Sequence, residues 1–485
     1  MSLSFHLAEM DSLQSICRLY QDVALNMRKR GLRQWEWGVY PSEEILRHDI
    51  EAGILYQMKE DGKMIGAFVL SPEQEAEYAK LSWHFGVKPA TLHRLALRPD
   101  CYGLGLAQRV LVYAKGKAER LGYDSLRLDT STENERALKL FRSAMTRSAG
   151  MVYLGNSGVA YECFESPVTD DCPMLPIRMY PAYRHGDMTP WGGDGLRRVF
   201  GKPIPDERTG EALEISAIPG LESQDEQGER LHKLIARYGR RLMGESQKFP
   251  LLLKLISAKD KLSVQVHPDD AYSLENESKL GKSEAWVILQ TEEGAQILYG
   301  MQPGVTVGAL KAALDAGEDI EPMMKSVPAK AGDVFYIPSG MVHAIGGGIV
   351  LYEIQQSSDV TYRLWDFQRK NDKGELRELH LRQALDVLNP RLLGEQTELP
   401  SARDGGIKRI LSVPAFKLDC ACCNAKLTLE TYKKSFRMLT ALEELILRWD
   451  GAEMKLAAGE SVLLPALCPE LTMLGVGRAL IAATR

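Results

Sequence analysis

The chain of 485 residues lacks any apolar run as long as a membrane span, so no transmembrane helix is expected. Its opening, MSLSFHLAEMDSLQ, has neither a basic start nor a long apolar stretch, and a signal peptide is not expected either. An excess of positive charge is missing too. The net formal charge is −5, whereas a nucleic-acid binder needs a basic face. Cysteine is sparse: eight in so long a chain make no disulfide framework. The cluster Cys420-Ala-Cys422-Cys423 has no second cysteine pair at zinc-site spacing, so reduced, buried thiols are the plainer reading. There is no short-period repeat and no low-complexity tract. What these absences leave is a cytoplasmic protein without nucleic-acid or membrane partners. Its length exceeds one ordinary core and implies two or three domains.

What is present falls into two textures. Up to about residue 165, helical and strand patterns alternate. Leu13, Ile16, Cys17, Tyr20 and Val23 recur at helical spacing after Asp11, a candidate N-cap, and Gly31 follows as a stop. ILYQMKEDGKMIGAFVL reads as two strands joined at Asp61-Gly62. LHRLALRPD and DSLRLDT read as strands, GLGLAQRVLVYAKGKAERLG and NERALKLFRSAM as helices. Turn formers from Glu165 to Pro173 suggest a linker. Beyond it, Gln227–Gly244 reads as a charged helix, and short apolar runs then alternate with Gly, Pro and Asp turns, as in a jelly roll. VGALKAALDAGED interrupts them as a helical insertion, and AGESVLLPA echoes the earlier AGDVFYIPSG, suggesting a second barrel.

Two places carry chemistry. In Arg98-Pro-Asp-Cys-Tyr-Gly-Leu-Gly-Leu-Ala107, between a strand and a helix, Gly103 and Gly105 let backbone amides converge on an anion at the helix N-terminus. A tight turn without a ligand explains the same pattern. The second place is SVQVHPDD, where Ser263, Gln265 and His267 share one strand face and Val264 and Val266 the other. A solvent-facing polar edge explains that octapeptide alone. GKSEAW, PSGMVH and EIQQSSDVTYR add Lys282, Glu284, His343, Glu353 and Arg363 on or beside strands. Two imidazoles, a carboxylate and an amide make a nitrogen/oxygen donor set suited to zinc or another divalent ion.

The strand LHRLALRPD, the loop YGLGLA and the later NERALKLF make residues 1 to 165 resemble the GNAT acetyltransferase family. The resemblance implies acetyl-CoA, bound at Tyr102, Gly103, Gly105 and Ala107 with Asn134 beside it. Tyr102 stands where that family usually has Arg or Gln. Phe141 stands where it often has the tyrosine that protonates the leaving thiolate, a role closed to a phenyl ring. The acceptor is open, an amine being the family expectation.

WGG, FGK, GEALEISAIPG, LSVQVHPDD, GKSEAW, AGDVFYIPSGMVHAIGGG and SSDVTYRLWDFQR, in that order, closely resemble type I mannose-6-phosphate isomerase, a cupin zinc enzyme, over residues 176 to 485. That resemblance implies one Zn2+ on Gln265, His267, Glu284 and His343. It also implies Arg363 and Glu353 as catalytic residues, with Ser263, Lys254 and Lys282 approaching the sugar phosphate. Asp269 and Asp270 are expected to hold a turn, and Asp359 to buttress Arg363 or cap one.

The expected architecture is therefore multidomain: an N-terminal α+β GNAT-like domain over 1–168, then a mainly-β double cupin. A catalytic cupin with the helical insertion covers 169–404, and a structural second barrel covers 405–485. The leading reading is an isomerase of mannose 6-phosphate and fructose 6-phosphate with an N-acetyltransferase-like domain ahead of it. The alternatives are a cupin that senses sugar phosphate and regulates an active N-acetyltransferase, and an acetyltransferase that uses the cupin for targeting. The oligomeric state is left open.

Overall fold

The computed structural model describes residues 3–155, 158–370, 373–450 and 452–485. It contains two compact units, Met1–Leu175 and Pro176–Arg485.

The first unit is built on a seven-stranded sheet in the order Leu3–Leu7, Leu55–Glu60, Lys63–Ser71, Pro89–Leu97, Ser125–Ser131, Ala160–Pro167, Arg147–Tyr153. Asp61 and Gly62 both take left-handed φ, 46° and 79°, the geometry that reverses a tight hairpin. One neighbouring pair is parallel, Pro89–Leu97 with Ser125–Ser131. Parallel neighbours need a crossover. Helix Leu106–Arg120 supplies it, burying Val110, Ala114 and Ala118 with Leu92, Leu126 and Leu128. Pairing runs from Pro89↔Ser125 to Leu92↔Leu128 and stops there, although both strands continue, to Leu97 and Ser131. Beyond that point the facing backbone edges are not bonded to each other.

Of the Glu165–Pro173 stretch expected as a linker, the first three residues belong to strand Ala160–Pro167. Glu165 sits within strand Ala160–Pro167, fully buried, and its carboxylate accepts from the backbone N–H groups of His84 and Phe85 and pairs with Arg147. A charged residue beside Ser and Pro looks like a turn in sequence, but here it is an internal anchor.

In the second unit a seven-stranded sheet (Glu395–Glu398, Asp333–Ile337, Glu284–Thr291, Ile349–Gln356, Leu251–Ala258, Glu211–Ile215, Ala182–Arg184) accompanies a five-stranded one (Met324–Pro328, Gln296–Met301, His343–Ile345, Val264–Val266, Tyr362–Trp365). Trp286, Ile288, Phe335 and Leu351 from the first meet Ile297, Tyr299 and Ile345 from the second in one core. Val264 and Val266 point away from that core. They are buried with Leu310 and Leu314 of insertion helix Val307–Ala316 and Ala384 of helix Leu381–Val387. The alternation in SVQVHPDD thus divides helix-covered valines from an inward-facing polar row.

The expected charged helix over Gln227–Gly244 is two shorter ones, Leu231–Tyr238 and Arg240–Met243. Gly239 separates them at φ 48°, ψ −124°, which glycine adopts without the Cβ clash that would deter other residues. The C-terminal strands form a further eight-stranded sheet around Leu439, Leu447, Leu456 and Met473. That sheet also takes in Ile177–Met179, paired with Ser461–Leu464, so it draws on chain from both ends of the unit. All eight cysteines are free and buried. No helix among the described residues is long and apolar enough to cross a membrane.

Candidate metal centre and cofactor cleft

Gln265 occupies the middle of Val264–Val266, and strand pairing sets it opposite His343 on one side and Arg363 on the other. Backbone bonds stitch the remaining pieces to it. Gly340 N–H donates to the His267 carbonyl at 2.7 Å, and Lys282 N–H to the Pro268 carbonyl at 3.0 Å. Glu284 opens strand Glu284–Thr291, with its side chain turned inward.

The result is a compact donor cluster. His343 Nε2 lies 3.3 Å from Glu284 Oε1, and His267 Nε2 lies 3.4 Å from Glu284 Oε2. Gln265 Nε2 lies 3.3 Å from His343 Nε2. One ligand atom from each of His267, Glu284 and His343 falls within 4.8 Å of the others, and all three side chains are fully buried. His343 Nδ1 meets the Met341 carbonyl at 2.8 Å, which assigns its proton there and leaves Nε2 as a lone-pair donor to the cluster. Burial drives the His267 imidazole down to about 3, with Lys282 adding to the effect, and burial lowers His343 as well. Both rings are therefore neutral, as metal ligation requires. Burial opposes the charge on Glu284, but its neighbours, the Lys282 ammonium foremost, outweigh it and hold the carboxyl well below its ordinary range.

Neither Glu284 oxygen accepts a well-directed hydrogen bond, although Lys282 Nζ stands 2.9 Å from Oε2. A buried, ionised carboxylate short of donors fits a cation. In this arrangement Lys282 Nζ also lies 3.0 Å from His267 Nε2, so an ammonium already stands among the donors.

A second charged array adjoins the first. Lys254 and Glu353 are register partners, as are Glu353 and Trp286. Lys254 Nζ is 3.0 Å from Glu353 Oε1 and 3.4 Å from Glu211 Oε1, while Trp286 Nε1–H donates to Glu353 Oε2 at 2.9 Å. Arg184 pairs with Glu211 at 3.2 Å. Burial, reinforced by Glu284, raises the Glu353 carboxyl despite Lys254. Ser263, Gln265, Lys254, Lys282, Glu353 and Arg363 line one cavity, so every expected substrate-side residue of this unit meets there.

Arg184, Glu211 and Arg377 line the same cavity and were not singled out from sequence. A glutamate opening the apolar run EALEI was the available signal for Glu211. Asp269 caps helix Asp270–Glu277 by accepting from Tyr272 N–H at 2.9 Å, and Asp270 accepts from Gly281 N–H at 2.8 Å. Asp359 takes neither expected role and pairs with Lys279 at 2.7 Å.

In the first unit, Tyr102, Gly103, Gly105, Ala107 and Asn134 line a single cleft of about 1250 Å³. Gly103 and Gly105 have φ 88° and 72°, and a Cβ on either would meet nothing within 4 Å. The left-handed backbone, not crowding, is what calls for glycine there. Arg136 lies over the Tyr102 ring at 5.8 Å, and Asn134 caps helix Glu135–Ala144 by accepting from Ala137 N–H at 3.3 Å.

Residues 16–145 match the Acetyltransferase (GNAT) family, and residues 182–283 match the catalytic domain of phosphomannose isomerase type I. The mannose-6-phosphate isomerase of Streptococcus mutans is 48% identical over 204 residues, 41% of this chain and 64% of that protein. The "Putative mannose-6-phosphate isomerase YvyI" of Bacillus subtilis is 34% identical over 309 residues, 62% of this chain and 96% of its own length. The chain belongs to the mannose-6-phosphate isomerase family. The crystal structure of the Bacillus subtilis mannose 6-phosphate isomerase superposes with TM-score 0.56 at 30% identity, covering 64% of this chain and 99% of that one. The isomerase region is thus a cupin, and a GNAT domain precedes it.

Proposed function

We propose that the cupin unit interconverts mannose 6-phosphate and fructose 6-phosphate around one divalent cation, zinc by its donor set, held by Gln265, His267, Glu284 and His343. The observation that carries this reading is the convergence of two neutral imidazoles and an ionised, donor-poor carboxylate in a fully buried cluster. It adjoins a cavity lined by cationic and hydroxyl side chains. When bound, the cation polarises a substrate oxygen and offsets the negative charge that develops as a C–H proton leaves.

The chain supplies the remaining parts. Glu353, its carboxyl raised by burial, moves the proton between C1 and C2, and Lys254 with the Trp286 indole fixes its orientation. Arg363 presents a buried Nε–H without a partner among the described residues, a donor for a phosphate oxygen or the developing oxyanion. Ser263 and Lys282 hold the sugar phosphate from the floor of the cavity. Isomerase turnover, measured beside metal content before and after chelation, tests the proposal. Catalysis that survives complete removal of metal overturns it.

The GNAT domain binds acetyl-CoA. Backbone amides at Gly103, Gly105 and Ala107 receive the pyrophosphate, with Arg30 and Arg136 adding charge at Tyr102. The splayed strands beyond Leu92 and Leu128 offer backbone groups to the amides of the pantetheine arm. Calorimetric titration with acetyl-CoA is the test, with Arg136→Ala expected to weaken binding.

A further inference from the structure

The cofactor cleft continues past the acetyl-CoA residues. One group of its lining residues stands together at what is here called the acceptor end: Tyr40 feels the charges of Arg94, Asp129 and Glu75, and His93 feels Arg94. Asp129 lies on Ser125–Ser131 just beyond Leu128, the last residue paired with the neighbouring parallel strand, so it sits where the two strands part. It is half-buried, and Tyr78, itself buried, donates its hydroxyl to Oδ1 at 2.5 Å.

The charge at this end is one-sided. Arg94, the cation there, is already paired with Asp49 at 2.8 Å and with the Tyr40 hydroxyl at 3.2 Å. Burial pushes His93 down to about 4, so its ring is neutral at ordinary pH. Glu75 and Asp129, within electrostatic reach of each other, therefore line the cleft there with Arg94, already paired, as the cation of the group. Arg30 and Arg136, by contrast, stand by Tyr102.

We propose that this end of the cleft takes a positively charged amine carrying no phosphate as acetyl acceptor, and that Asp129 receives its proton. The proposal rests on the acetyl-CoA reading. It implies that the two catalytic regions of the chain act on different substrate classes, because a phosphorylated amine would bring a dianion against the Glu75 and Asp129 carboxylates.

The chemistry closes without the tyrosine that Phe141 replaces. Asp129 takes one proton from the ammonium, and the freed lone pair attacks the thioester carbonyl carbon. As the C–N bond forms and the C–S bond breaks, the second N–H proton leaves with the thiolate as CoA thiol. Asp129 then returns its proton to solvent. Burial raises the Asp129 carboxyl to about 6, against the Tyr78 hydrogen bond and with Glu75 adding to the rise. Cys163 and Tyr40 also feel the Asp129 charge. A carboxylate of that basicity is ionised at neutral pH and still a competent proton acceptor.

The test uses the full chain, acetyl-CoA and a panel of amines including spermidine, glucosamine and glucosamine 6-phosphate, with product mass as readout. Turnover of a phosphate-free amine, falling about 100-fold or more in Asp129→Asn with acetyl-CoA affinity unchanged, is the expected result. Bound acetyl-CoA with no amine acetylated, a preference for glucosamine 6-phosphate, or full activity in D129N overturns the proposal. Failure of acetyl-CoA to bind overturns the cofactor reading instead. Should D129N not fold, Tyr78→Phe decides. Loss of its hydrogen bond raises the Asp129 carboxyl, so the acid limb of kcat/KM must move to higher pH, and an unmoved limb refutes the role.

Discussion

Gln265 and His343 face each other across paired antiparallel strands, and their side-chain Nε2 atoms lie 3.3 Å apart. Since the His343 proton is on Nδ1, the amide donates toward an imidazole lone pair in this arrangement. Were a cation held by this cluster, the amide would have to present its oxygen instead.

This relationship makes the first prediction. His343→Ala removes a neutral nitrogen donor and leaves Glu284 buried without one of its neighbours. Bound metal should fall from about one ion per chain toward zero, and isomerase turnover with it. Metal content by elemental analysis beside the rate is the check. Gln265→Leu, which keeps volume and removes the oxygen donor, should lower metal affinity while the fold is retained.

Glu353→Gln keeps the hydrogen-bonding shape beside Trp286 and Lys254 but cannot take a proton. The expected outcome is a kcat lowered by about 10²–10⁴-fold with metal content unchanged. Equal rates for variant and parent would assign proton transfer elsewhere.

Gly281 precedes Lys282 and Glu284, and a Cβ there would lie 2.4 Å from the backbone carbon of Asp269. Gly281→Ala must therefore push apart the two segments that carry His267 and Glu284. A stability loss of about 1–3 kcal/mol is expected, with weaker metal binding. Denaturant unfolding and a metal titration measure the two effects separately.

Glu165 and Arg147 form an ion pair with side-chain exposures of 0% and 1%. Removing one partner leaves the other charged and buried, so Glu165→Ala should destabilise the acetyltransferase domain by about 3–5 kcal/mol. Isomerase activity measured on the same sample reports whether the loss is confined to that unit.

Much of the cupin site was legible because period-two alternation fixes which side chains share a face. Ser263, Gln265 and His267 were separated from Val264 and Val266 by spacing alone. Glu211 and Arg184 were not legible, since their role depends on Lys254 and Glu353 arriving from other strands. Asp359 was misplaced for the same reason: its partner, Lys279, is 80 residues away in the chain. The break at Gly239 was hidden by a charge pattern that suits a helix on both sides of it. Asp129 carried no signal, because an aspartate in a strand pattern discloses nothing about the cleft it faces.

The sequence by itself determined the family of the N-terminal and of the cupin region and the chemical identity of the donor atoms, because local periodicity and ordered motifs are properties of the chain. Only the tertiary structure decided which charges meet: that Lys282 stands among the clustered donor side chains, that Glu353 lies between Lys254 and Trp286, and that Asp129 opens onto the cleft of the GNAT domain. Electrostatic roles depend on distances between residues far apart in the chain, and those distances exist only once strands have paired and excluded water.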